Sequence, residues 1–191
     1  MALRVVIAED EAIIRLDLRE TLEEQGYEVV GETGRGDEAV ALVKEHGPDL
    51  AILDIKMPGL DGLSAAREIT GERRAAVLIL TAFSQRDLVE RARDAGALAY
   101  LVKPFQRAEL VPAVELAIAR FREMRALEAE IKGLEDELEI RRVVDRAKGM
   151  LTDGHKLSEA DAFAFIQRQA MADRSTMKAT AQRVIDGQLS P

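Results

Sequence analysis

Leu50-Ala51-Ile52-Leu53-Asp54 is a run of four apolar residues that stops on a carboxylate, and Ile55-Lys56-Met57-Pro58-Gly59-Leu60-Asp61-Gly62 follows it. So short an apolar run, without polar alternation, reads as a strand buried on both faces, as parallel sheets require. Pro58-Gly59 and Asp61-Gly62 are turn chemistry, which puts Asp54 where the strand gives way to a loop. Similar runs lie at Leu3–Ala8, Tyr27–Gly31, Ala76–Leu80 and Ala99–Val102. The segments between them have helical period. Glu11–Gln25 repeats Ile14, Leu18 and Leu22 every four residues and meets a stop at Gly26. Asp37–Glu45 is closed by Gly47-Pro48, Leu63–Thr70 by Gly71, and Arg86–Ala95 by Gly96. This alternation, with a further helix from Gln106, predicts an α/β fold with a doubly wound, five-stranded parallel sheet.

Open parallel sheets bind ligands beyond the carboxyl ends of their strands. Here those ends carry Glu9-Asp10-Glu11, Asp54, Thr81-Ala82 and Lys103-Pro104, so folding should gather carboxylates, a hydroxyl and a lysine at one edge. Crowded carboxylates repel each other and invite a divalent cation. The chain has no cysteine and only two histidines, His46 and His155, so an oxygen-ligated ion such as Mg²⁺ is expected. Beside such a cation a carboxylate can act as nucleophile toward a phosphoryl group, with the cation and a lysine neutralising its oxygens. Taken singly, each residue also fits a cap, a turn or a solvated face; the joint pattern at four strand ends favours the site.

Residues 1–120 resemble the receiver domain of the two-component response-regulator family, whose fold is flavodoxin-like. Asp54 through Gly62 match its phosphoacceptor loop, and Lys103-Pro104-Phe105 its second hallmark. The resemblance implies phosphorylation of Asp54 by a histidine kinase. It implies Mg²⁺ on Asp10, Asp54 and the backbone carbonyl of Lys56, with Glu9 acting largely through water. It further implies Lys103 and Thr81 on the phosphoryl group, a cis Lys103–Pro104 peptide, and a switch in which Thr81 moves and Tyr100 rotates. A receiver of this kind assists its own phosphoryl transfer and dephosphorylation but is otherwise no enzyme.

Beyond Leu110 the helical pattern outruns a normal domain. Leu110, Val114, Ala117, Phe121 and Met124 are followed, after one phase slip, by Leu127, Ile131, Leu134 and Leu138. Alternate spacings of four and three make a heptad seam, so residues 121–140 are expected to be a linking helix that pairs as a coiled coil in a homodimer. A single amphipathic helix is the alternative, and Gly133 weakens the seam.

Residues 141–191 read as a small three-helix output bundle. Ile140, Val143, Val144, Ala147 and Leu151 form a stripe that stops near Asp153-Gly154, and Ser158 caps a helix with Phe163, Ile166 and Ala170 on one face. Ser175 is expected to cap the last helix, Met177 to Gln188. Arg142 through Leu151, with Leu157 through Phe163, resemble an ANTAR domain, a module that binds RNA and relieves transcription termination. Arg141, Arg142, Arg146 and Lys148 lie off the apolar stripe, where they could meet the phosphates of a structured hairpin loop. Phe163 is expected in the core rather than as a stacking platform. The rival reading is a phosphorylation-switched protein-interaction module that binds no nucleic acid. A DNA-binding output is disfavoured, because no helix-turn-helix with a basic recognition helix is seen.

Charge fits the division. Residues 1–120 carry −7, residues 121–140 carry −4, and residues 141–191 carry +3, within a total of −8. No apolar run approaches a membrane span and no signal-peptide pattern opens the chain, so a cytoplasmic protein is expected.

Overall fold

The computed structural model of the chain describes residues 2–82 and 86–191, with the backbone alone of Arg86. It divides into two compact units, one ending at Arg125 and the other spanning Ala126–Pro191. The first contains β1 (Arg4–Ala8), α1 (Ala12–Glu24), β2 (Glu28–Thr33), α2 (Gly36–His46), β3 (Leu50–Asp54), α3 (Gly62–Gly71), β4 (Ala76–Thr81), α4 (Arg86–Asp94) and β5 (Ala99–Val102). The strands pair in parallel in the order β2-β1-β3-β4-β5, the doubly wound arrangement expected.

Side chains alternate across a strand, and here the alternation builds two cores. Val6, Ala8, Ala51, Leu53, Val77 and Ile79 pack under α2, α3 and α4. Their chain neighbours Val5, Ile7, Leu50, Ile52, Leu78 and Leu80 pack under α1 and a further helix, α5 (Arg107–His155), through Leu110, Val114 and Ala117. The central strands β3 and β4 are buried at every residue, whereas the edge strands β2 and β5 are only partly buried. Continuous apolarity is therefore a consequence of two-sided burial, and each such Leu or Ile contributes about 1.5–3 kcal/mol.

α5 runs unbroken to His155, so the linker and the first output helix are one element. In the second unit α6 (Glu159–Ala172) and α7 (Met177–Ile185) share a core with it: Val144, Ala147, Leu151, Ala162, Phe165, Ile166, Ala181 and Val184. Three expectations are corrected here. Phe163 is 44 % exposed, and Phe165 takes the core position, because α6 turns the Ala162–Phe165–Ile166 stripe inward. Thr176 rather than Ser175 caps α7, its hydroxyl accepting from the Ala179 N–H. That helix stops at Ile185, short of Gln188, with Gly187 in the left-handed region just beyond. Ser158 caps α6 as expected. Among the described residues no helix is long and apolar enough to cross a membrane.

Candidate functional site

The strand tips do meet. Lys103 Nζ, at the end of β5, lies 2.6 Å from Glu9 Oε2 after β1 and 2.7 Å from Asp54 Oδ1 at the tip of β3. Glu9 is fully buried, and Asp54 is buried too. One oxygen from each of Glu9, Asp10 and Asp54 falls within 4.8 Å of the others. The second Asp54 oxygen accepts from the Lys56 N–H at 2.7 Å. Thr81, at the tip of β4, is buried beside them, and Thr81, Asp10, Asp54, Lys56 and Lys103 line one pocket of about 570 Å³.

Local sequence sets this placement. Asp61 caps α3 by accepting from the Leu63 and Ser64 N–H groups. Gly62, its next residue, packs against the end of β3 so closely that a Cβ would come within 1.9 Å of the Asp54 carbonyl oxygen. The Lys103–Pro104 peptide is cis. Arg15 of α1, to which no role was assigned from sequence, donates to the Glu9 carbonyl at 2.5 Å and braces the acidic turn. Arg91 of α4 also lines the pocket, another residue that strand-end reasoning cannot find. Its presence depends on how α4 packs.

The electrostatics follow from crowding. Burial pushes the Glu9 carboxyl above its ordinary value, and the nearby Asp54 charge adds to the rise, while Lys103 opposes it. Burial alone would lower the Lys103 ammonium, but its bonds to Asp54 and Glu9 outweigh that and raise it, so it stays charged. Glu9 Oε2 is buried and meets the Lys103 ammonium as an ion pair at 2.6 Å. An oxygen-only donor set that gathers two buried carboxylates and Asp10 within 4.8 Å of one another fits a hard divalent cation. Tyr100 on β5 is 47 % exposed, whereas Thr81 is buried.

The family profile of the response regulator receiver domain matches residues 5–115. The chain belongs to the response regulators. The ANTAR domain profile matches residues 132–185 of this regulator. It is similar to the transcriptional regulatory protein PdtaR of Mycobacterium tuberculosis, 60% identical over 183 residues, or 96% of this chain and 89% of the relative. The receiver domain of the putative response regulator NarL of Mycobacterium tuberculosis has a TM-score of 0.60 and 33% identity, over 62% of this chain and 97% of that one. A CheX–CheY–BeF₃–Mg²⁺ complex from Borrelia burgdorferi has a TM-score of 0.56 and 28% identity, over 59% of this chain and 86% of that one. Receiver and ANTAR domains together make the chain a response regulator with an RNA-binding antiterminator output, and they disfavour a pure protein-interaction module.

In the output unit Arg141, Arg142 and Arg146 are exposed. Lys148 differs from the open contact expected of it. Its side chain is only 16 % exposed, because Asp145 and Glu159 hold the ammonium at 2.9 and 2.7 Å.

Proposed function

We propose that Asp54 is the phosphoacceptor and that Glu9, Asp10, Asp54 and the Lys56 backbone carbonyl hold Mg²⁺. The observation that carries this reading is the Lys103 ammonium set between two buried carboxylates at the strand tips. The similar Borrelia complex, which contains BeF₃ and Mg²⁺, supports it. When bound, the cation supplies positive charge to the phosphoryl oxygens. A carboxylate oxygen of Asp54 attacks the phosphorus of a phosphohistidine on a histidine kinase. The O–P bond forms as the P–N bond breaks, and the electron pair leaves on the imidazole nitrogen. Lys103 pairs with a phosphoryl oxygen and the Thr81 hydroxyl donates to another. The regulator thus assists its own phosphoryl transfer and later hydrolysis, and it is no enzyme otherwise.

Thr81 drawn toward the phosphoryl group leaves room into which the exposed Tyr100 ring turns, remodelling the surface of α4, β5 and α5. Residues 1–120 serve as receiver, 121–140 as a coiled-coil linker and 141–191 as output. Leu127, Ile131, Leu134 and Leu138 are 53–56 % exposed in the single chain, and a second copy in a homodimer would cover them. Two output units in one dimer raise affinity for paired RNA hairpin loops through effective concentration. The protein acts in the cytoplasm. Titrating the full chain with hairpin RNA at two salt concentrations, with and without beryllofluoride and Mg²⁺, tests the reading. Salt-sensitive binding that beryllofluoride alters is expected; no binding in any condition removes the RNA half.

A further inference from the structure

Gly149 lies inside α5, and a Cβ built on it meets nothing within 4 Å. Glycine in a helix interior is destabilising relative to alanine, so a position that has room for a methyl group should favour one. Nor does backbone geometry ask for glycine, since Gly149 is not among the glycines with positive φ. Gly62 has its reason inside the chain, in the Asp54 carbonyl that a Cβ would strike. Gly149, like Gly133 and Gly154 of the same helix, has none there; what sets it apart is the charged groove that it lines, so its reason is sought outside.

Its surroundings are charged. Gly149, with Arg141, Asp145, Lys148, Thr152 and Glu159, lines a groove of about 420 Å³. The Lys148 ammonium sits low in this groove, while its partners Asp145 and Glu159 are 54 and 78 % exposed. Arg141 reaches into solvent, 80 % exposed, at 3.9 Å from Asp145. Charged and polar side chains dominate the lining, unlike the apolar centre of a protein interface, and its cations Arg141 and Lys148 are available to a polyanion only once Asp145 and Glu159 give way.

We propose that the RNA backbone crosses the output unit along this groove, with Gly149 as the point of closest approach and a phosphate displacing Asp145 and Glu159 from Lys148. The inference rests on RNA being the ligand of the output unit and adds where it lies. In the free chain two exposed carboxylates share one ammonium, so both compete with an incoming phosphate and repel it. Once the phosphate takes Lys148, the carboxylates return to water, where they are well solvated. A methyl group at residue 149 would hold the backbone away from the helix and loosen this contact.

The test uses the full chain and a fluorescein-labelled hairpin that the wild-type chain has selected from an RNA pool with randomised loops. Gly149→Ala is expected to raise the melting temperature of the output unit by a few degrees while weakening the hairpin by roughly tenfold. Lys148→Ala is expected to weaken it with a shallower salt dependence, and Glu159→Gln to tighten it several-fold. A stabilising substitution that impairs binding cannot be explained by damage to the fold. Wild-type affinity in both Gly149→Ala and Lys148→Ala would overturn the proposal. So would a Gly149→Ala chain that keeps its RNA but changes its sedimentation mass, because the glycine would then serve a second copy. Failure of the wild-type chain to select any hairpin would instead remove the RNA reading itself, and this inference with it.

Discussion

Lys103 Nζ lies 2.7 Å from Asp54 Oδ1, with the lysine side chain 11 % exposed and the aspartate 7 %. The ammonium separates Asp54 from Glu9, and under the function proposed above it stands ready to pair with a phosphoryl oxygen on Asp54.

Lys103→Ala removes this separation. Two buried carboxylates then face each other without a cation, and metal-free protein is expected to lose about 3 kcal/mol of stability in urea denaturation. Mg²⁺ should restore part of that loss, and beryllofluoride binding should weaken by on the order of tenfold. Equal stability of the two chains in the presence of a chelator would show that the pair is not coupled as its geometry indicates.

Glu9 gives a pH dependence of definite sign. Its folded pKa is raised above the unfolded value of 4.5, so the group favours folding most below that pH and loses this contribution as the pH rises through the folded value. In metal-free protein at neutral pH, Glu9→Gln should accordingly melt higher than wild type, and the difference should close toward pH ~4. Calorimetry across that range checks it; a gap that widens on acidification would contradict the sign.

Asp61→Ala removes the cap of α3 and is expected to cost about 1 kcal/mol. Gly62→Ala should be far more damaging, because its Cβ would collide with backbone rather than a flexible side chain. Chemical denaturation of both variants ranks them, and a milder Gly62→Ala would mean that β3 and α3 can separate freely.

The linker stripe gives a prediction about mass. Charged residues at Leu127, Ile131 and Leu134 should convert a dimeric parent to monomer in sedimentation equilibrium, with the receiver still able to bind beryllofluoride. A variant that retains the parent's mass would place self-association elsewhere.

The receiver half was readable because its signals are local. Two-sided burial writes apolar runs into β3 and β4, and each run ends on the residue that the sheet delivers to the site. Asp54, Thr81 and Lys103 need only parallel strands in order to meet. Arg15 and Arg91 do not announce themselves, because their reach to the Glu9 carbonyl and to the pocket depends on where α1 and α4 pack.

The output half was harder for a physical reason. On α6 the sets Phe163, Ile166, Ala170 and Ala162, Phe165, Ile166 both have helical period, and the choice rests on which side meets α5 and α7. Ser175 and Thr176 are adjacent residues that can each cap a helix, and the exact start of α7 decides between them. Lys148 looked free on a helical wheel. Glu159, eleven residues later, binds it only once α6 has folded back.

Phosphoryl transfer to one residue is the claim on which the rest depends, and it can be read directly. Incubating wild-type and Asp54→Asn chains with Mg²⁺ and labelled acetyl phosphate, then mapping the label by peptide mass, should give one acyl phosphate on Asp54 and none in the variant. Label of equal intensity on the Asp54→Asn chain would contradict it.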